Sequence, residues 1–433
     1  MVLVSVIGGL TCVAMVMAIL FFPQIKIKKF SVESYWVIAL IGAIIMLITK
    51  RVSLSYLWQE LTLNTAINPL KILVLFISMT LLSVFLDEVG FFRLLAVKAL
   101  NLAKHSQLKL FTVLYITVSV LTVFTSNDVI VLTFTPFICY FAKHAKINPL
   151  PYLIGEFVAA NTASMMLIIG NPTNVFVATT YGISFLEYLK VMVLPTIIAS
   201  IVAFVMLYIC FKRKLKKPMD AECEQVVIEH KAFLIIGVIF LACATIVLAI
   251  GSYIGIEMWV VAFVSAIGLV TVIMILCLIK KRKLTVITHT LKREPWQLVP
   301  FVLSMFTIIL AFKEQGITAE LGKLLGADDT VLKYGVLSYL TANLINNIPM
   351  TVLFCPIMQG LNGVELSRAV FATVIGSNIG AYLTPIGALA GIMWTNLLKK
   401  QKIKLRYRDF IKYGLIISVP TLFSALLMLA LIV

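Results

Sequence analysis

Apolar residues recur along this chain in runs that reach the roughly 20 positions needed to cross a bilayer core. The pattern predicts spans over residues 2–22, 33–49, 69–86, 152–181, 190–211, 232–250, 257–279, 296–313, 366–396 and 411–433. Two more apolar stretches, 108–142 and 331–360, predict re-entrant hairpins. In the first, "TSNDVIVLTFTP" (125–136) sets Ser126, Asn127 and Asp128 side by side between membrane-like flanks. In the second, Asn346, Asn347 and Pro349 stand together. These are poor helix-interior residues and mark where each hairpin turns. "GNPTN" (170–174) and "TPIG" (384–387) each carry Pro and Gly within a long apolar run, so two spans are predicted to unwind there. Irregular backbone at membrane depth survives only inside protein or beside water.

The pattern also repeats. Asn127 is followed nine residues later by Pro136, and Asn347 nine residues later by Pro356. Glu88-Val89-Gly90 matches Glu314-Gln315-Gly316, "AANTAS" around Asn161 matches "GSNIGA" around Asn378, and Pro172 matches Pro385. "EYLK" (187–190) and "DFIK" (409–412) each lead on to Pro-Thr. The ordered set implies a first repeat over 1–211, a basic cytoplasmic linker over 212–231 and a second repeat over 232–433. Five spans and a hairpin make one unit. Five is odd, so the second unit is inverted, as in many secondary transporters. The expected fold is an all-α polytopic membrane protein of about ten transmembrane helices and two re-entrant hairpins.

Composition agrees with the pattern: of 433 residues, 61% are hydrophobic and 13% charged, more apolar surface than a soluble domain can hide. The first run lacks a positive n-region and an A-x-A site and is read as a retained span. The net charge of +17 is distributed by topology. Six segments (23–32, 87–110, 143–149, 212–231, 280–295 and 399–412) hold 28 of the 36 Lys and Arg. This asymmetry places them in the cytoplasm, both termini outside, and the chain as a multi-pass protein of the cell membrane. The basic runs contact lipid headgroups rather than nucleic acid. No phosphate-binding loop G-x-x-x-x-G-K-[ST] is present, so any ATPase would be a separate subunit docked on the cytoplasmic loops. Seven cysteines show no C-x-x-C pairing and four histidines no ligand pattern, so no metal and no cofactor is expected.

The polar residues of the four interruptions are the candidate site: Ser126, Asn127, Asp128, Asn161, Thr162, Asn171, Pro172, Thr173, Asn174, Asn346, Asn347, Asn378, Thr384 and Pro385. They are expected to meet near the midplane and present helix ends, carbonyls and amides to a solute. Asparagines also bridge membrane helices as packing glue, and prolines kink helices that bind nothing. Asp128 is a coupling candidate, because charges within the membrane are costly and tend to be functional. It is also placed to cap the helix that follows the turn. Glu156 is a second coupling candidate, expected near enough to the cytoplasmic end of its span to reach headgroup water.

The segments "LLSVFLDEVGFF" (81–92), "SNDVIVLTFTPFI" (126–138), "EPWQLVPFVLSM" (294–305), "NNIP" (346–349) and "TPIGALAGIMW" (384–394) resemble, in order, those of the ion-transporter superfamily. The chain is most similar to its ArsB-type arsenical pump membrane subunits. The resemblance implies a scaffold and a transport domain working by alternating access. Sodium/proton antiporters of the NhaD type and dicarboxylate/sodium symporters are also relatives, and in the latter the hairpin tips help hold sodium. ArsB-type proteins carry Asp where this chain has Asn161 and Asn378, and "GPKITP" where it has "GAYLTP"; Glu156 falls outside their pattern. The expected activity is proton-coupled export of arsenite or antimonite. A sodium-coupled anion or dicarboxylate symporter, or a sodium/proton antiporter, is the alternative. Partners are then a small inorganic solute or anion with H⁺ or Na⁺ and the lipid bilayer, with room for a homodimer. No nucleophile–base pair or soluble module supports an enzyme.

Overall fold

A computed structural model describes residues 1–22, 24–27, 30–63, 68–103, 106–219 and 230–433. Residues 220–229 of the basic linker expected over 212–231, with Cys223, lie outside the described residues, as does part of the basic loop 23–32.

The chain is helical nearly throughout. It begins with α1 (Val2–Phe21), then a two-stranded antiparallel hairpin, β1 (Gln24–Ile27) and β2 (Phe30–Glu33), with Gln24 opposite Glu33. This hairpin was not expected; it occupies the basic loop, where no apolar run marks it. Next come α2 (Ser34–Ile48), the short α3 (Leu54–Thr62), α4 (Pro69–Glu88) and α5 (Phe91–Ala103). The first hairpin is α6 (Gln107–Phe124) and α7 (Asn127–His144). A broken span follows: α8 (Leu150–Ala163), two 3₁₀ turns, and α9 (Pro172–Thr180). The long α10 (Phe185–Leu215) completes this part.

The same sequence of elements then recurs. It runs through α11 (Lys231–Gly251), α12 (Met258–Ile279), the short α13 (Thr285–Arg293), α14 (Leu298–Glu314) and α15 (Ile317–Leu325). The second hairpin is α16 (Thr330–Ile345) and α17 (Asn347–Met358). The second broken span is α18 (Gly363–Gly380) and α19 (Leu389–Lys400), and α20 (Tyr407–Ile432) ends the chain.

Packing repeats by twos. α2 lies along α14 as α12 lies along α4; α6 packs on α8 as α16 does on α18; α7 meets α19 as α17 meets α9; and α10 runs beside α20. Two inverted-topology repeats produce this pairing. Among the described residues, eight helices are long and apolar enough to cross a membrane. The rest of the expected spans are α2, with 15 residues, and the two broken ones, of whose halves α18 alone, with 18 residues, reaches a span's length.

Each interruption has a local cause. Ser126 caps α7, its Oγ accepting the Asp128 N–H at 3.3 Å. Asn346 turns the second hairpin at φ +74 and ψ 153, a region that favours glycine, and its Oδ1 accepts the Ile348 N–H at 3.3 Å. Asn171 caps α9, with Pro172 in the first helical position, where its missing N–H costs nothing. The break before α9 starts earlier than "GNPTN" suggests, at Ser164, because the chain doubles back tightly: a Cβ on Gly170 would lie 2.2 Å from the Ser164 carbonyl oxygen.

One large core joins α4 to the hairpins and broken spans. A second core gathers α1, α2 and α14, and the hairpin and broken-span elements reach it through Ile348, Leu389 and Ile392. Between α4 and the start of α12, Lys71 pairs with Glu257, which also accepts the Trp259 indole N–H. The Lys71 hydrogen bond is the main reason the Glu257 carboxyl sits below its ordinary pKa.

Helices α16 and α18 approach each other closely. A Cβ at Gly376 would stand 2.0 Å from Ser338 Oγ and 2.3 Å from the Gly335 carbonyl oxygen. Small residues allow such contact, and helices in lipid depend on it for cohesion. Gly376→Ala is therefore expected to lower stability by about 2 kcal/mol or more through overpacking against backbone. Gly360, with open space around its Cβ position, is the control. Thermal unfolding in detergent reads the difference; equal melting of the two variants would contradict the close approach.

Candidate functional site

The first hairpin tip is held by amides. Asn127 Nδ2 donates to Asn161 Oδ1 at 3.0 Å, and Asn161 Nδ2 donates to the Phe157 carbonyl at 2.8 Å. The Ser164 hydroxyl lies between the Asn161 carbonyl (2.9 Å) and Asn378 Oδ1 (3.0 Å). Asn378 Oδ1 also accepts from Asn171 Nδ2 at 3.0 Å, and Asn378 Nδ2 donates to Asn174 Oδ1 at 2.8 Å and to the Val374 carbonyl at 2.9 Å. Asn174 Nδ2 donates to the Ser164 and Leu167 carbonyls at the break. Thr173 donates its N–H and hydroxyl to Asn171 Oδ1. Thr162 donates to the Tyr382 hydroxyl at 3.1 Å. One network thus runs from the hairpin tip through α8 and the break to α18, drawing on both halves of the chain.

The second tip is stitched to the second break. The Asn347 N–H donates to the Gly387 carbonyl and Asn346 Nδ2 to the Ile386 carbonyl, each at 3.0 Å. Asn343 Oδ1 accepts from the Thr384 N–H (3.0 Å) and hydroxyl (2.7 Å), while its Nδ2 donates to the Tyr339 and Gly380 carbonyls. The two networks abut at the end of α18, where Asn378 belongs to one and Gly380 to the other. Pro385 stands apart, beside a small cavity lined by Lys399, Arg406 and Phe410.

Spent and unspent capacity divide the residues. Asn161, Asn171, Asn174 and Asn378 have both side-chain atoms engaged, and all are buried. Asn171 and Asn174 secure backbone at the break, as irregular chain at membrane depth requires, while Asn161 and Asn378 tie the hairpin tip and α18 to it. Asn127 keeps its Oδ1 buried and unpartnered. The Asp128 carboxyl accepts no hydrogen bond from a described residue. It turns away from the amides and lines a small cavity with Glu33, Tyr35, Pro295, Gln297, Leu298, Leu389, Ile392 and Met393. Two expectations are corrected here. Asp128 does not cap α7, since Ser126 does, and it does not share the amide network with Asn127.

Glu156 is also placed differently from expectation. It is 3% exposed, away from headgroup water, and accepts the Thr135 hydroxyl at 2.9 and 3.0 Å on its two oxygens. It ties α8 to hairpin arm α7. Sequence reasoning missed Asn343, Ser164, Tyr382, Thr135 and the Tyr35–Gln297 wall. Of these, only Asn343 carried a signal, an amide in an apolar run one helical turn before Asn347. Among the described residues neither network includes a Lys or Arg, and no three His, Cys, Asp or Glu are grouped to hold a metal ion.

Two hairpins that stop inside a helical membrane body, facing two unwound spans lined with amides, make a membrane transporter. The chain belongs to the CitMHS citrate transporter family, whose model matches residues 30–366. It is similar to the arsenical pump membrane protein of Escherichia coli (strain K12), 28% identical over 91% of this chain and 92% of that one. It also resembles the putative arsenical pump membrane protein of Bacillus subtilis (strain 168), at 24% identity over 88% of this chain and 90% of that one. The crystal structure of the Alcanivorax borkumensis YdaH transporter shares the fold, with a TM-score of 0.60, covering 99% of this chain and 97% of that one at 14% identity.

Proposed function

We propose that this transporter exports a small neutral metalloid hydroxide, arsenite or antimonite, in exchange for protons by alternating access. One observation carries the reading: acceptor oxygens are left over among the side chains of the first hairpin tip. Asn127 Oδ1 and the Asp128 carboxyl both lack a donor among the described residues. An undissociated trihydroxide brings three O–H donors and no charge to desolvate. A citrate or dicarboxylate anion brings acceptors and negative charge. Neither network supplies an Arg or Lys to pair with it. The arsenical-pump relatives point the same way.

Acceptor oxygens also suit a bare cation, so the second reading is sodium/proton antiport at the same tip. On either reading Asp128 carries the coupling charge. Glu156, bonded to Thr135, is the second candidate. Neither reading needs a separate ATPase subunit or a homodimer. The crowding of Lys and Arg into six loops supports both termini lying outside, and the transport direction is then set by the proton gradient.

The test is expression in an arsenite-sensitive bacterium lacking its own pump, with everted vesicles assayed for uptake of arsenite, sodium and citrate under imposed proton and sodium gradients. Resistance and proton-driven arsenite uptake are expected. Citrate uptake with sodium and no arsenite movement would replace this reading with the symporter.

A further inference from the structure

Asp128 lies on a hairpin tip, yet it meets the N-terminal ends of α2 and α14. Across its small cavity stand Tyr35, Glu33 and Gln297. Gln297 Nε2 donates to Glu33 Oε2 at 3.0 Å, leaving Oε1 for another donor. Tyr35 lines this cavity together with Glu33, Gln297 and Asp128, and its ring is fixed edge-on against Phe301 at 5.0 Å. Tyr35 is buried, while Glu33 is partly exposed at the foot of the β hairpin. By the charge asymmetry this end of α2 and α14 is cytoplasmic.

The other walls are mute. From α19, Leu389, Ile392 and Met393 bring no titratable group to Asp128. From α8, Glu156 meets α7 at Thr135, about two turns away. From α4 and α5, Asp87, Glu88 and Arg93 face Thr133 to Tyr140, farther along α7. Asp87 and Glu88 are paired with Arg293.

Resting on the proton coupling proposed above, we infer that Tyr35 and Glu33 form the route by which Asp128 exchanges its proton with the cytoplasm. Protonated Asp128 gives its proton to the Tyr35 oxygen as the Tyr35 hydroxyl proton passes to Glu33 Oε1. Asp128 is left ionised and Glu33 protonated, and Glu33 then releases the proton to water. Tyr35 and Glu33 sit on α2 and its entry, in the core shared with α1 and α14, whereas Asp128 sits on the hairpin. Movement of the hairpin relative to α2 breaks the route. Proton release is therefore tied to one conformation, which is what coupling requires.

The experiment uses the full chain in proteoliposomes with two readouts: arsenite flux driven by a pH gradient, and arsenite exchange at equal pH, which needs no net proton transfer. Tyr35→Phe and Glu33→Gln are each expected to cut gradient-driven flux roughly tenfold or more, a change of about 1.4 kcal/mol, with exchange held within about twofold. Glu33→Gln keeps an acceptor for Gln297, so it decides the matter if Tyr35→Phe misfolds. Unchanged coupled flux in both variants would overturn the inference alone. So would equal loss of both activities in folded protein, which marks Tyr35 as structural. Wild-type protein that shows no proton-driven flux at all would overturn the proposed function, and this inference with it.

Discussion

Asp128→Asn is expected to leave a folded, inserted protein that has lost gradient-driven transport. The carboxyl accepts no hydrogen bond from a described residue, so an amide of the same shape breaks none. What folding loses is the interaction of a negative charge with the first turn of α7, about 0.3–1 kcal/mol at most. What transport loses is the only carboxyl at the tip, and with it the ability to bind and release a proton there. Thermal unfolding in detergent and flux in proteoliposomes separate the two. A variant that melts within a few degrees of wild type but carries no proton-driven flux is the expected result. Undiminished coupled flux would remove Asp128 from the mechanism and leave Glu156 as the candidate.

Asn378→Ala should do the reverse, damaging the fold before the chemistry. The side chain is 0% exposed and makes four hydrogen bonds, to Ser164, Asn171, Asn174 and the Val374 carbonyl. Truncation orphans the Asn171 Nδ2 donor, and each unsatisfied buried partner costs about 1–3 kcal/mol. Hydrogen bonds between helices in lipid sit toward the lower end, averaging roughly 0.6 kcal/mol in double-mutant cycles. A total loss of about 3 kcal/mol is therefore expected, read as a lower melting temperature. Asn171→Ala added to it should cost little more, because the two share a bond and their effects do not add. Full stability in Asn378→Ala, together with weakened solute affinity, would instead make this amide a ligand rather than a stitch.

The two substitutions mark how far the candidate site was legible. That Asn127, Asn161, Asn171, Asn174 and Asn378 matter could be read from the chain, because hydrocarbon penalises amides and five of them are kept at interruptions. Their division into stitches and free acceptors could not, since it depends on which partner each finds. Asn378 lies 204 residues from Asn174, yet the two are 2.8 Å apart. Glu156 looked close to water on a linear count along its span; packing of Thr135 and the α7 arm over it took the water away.

By itself the sequence determined the helical membrane body, the two hairpin turns at Ser126 and Asn346, and the doubled order of elements. Apolar run length and the cost of polar backbone in lipid leave few other arrangements. Short elements escaped it: α5 and α15 have 13 and 9 residues, too few to read as spans, and the β hairpin has no apolar signature. The tertiary structure decided where Asp128 points. Neighbouring helical residues diverge by about 100° around the axis, so Asn127 and Asp128 cannot face the same partner. Docking of α7 on α8 turned Asn127 toward Asn161, and that same rotation sent Asp128 to Tyr35 and Glu33.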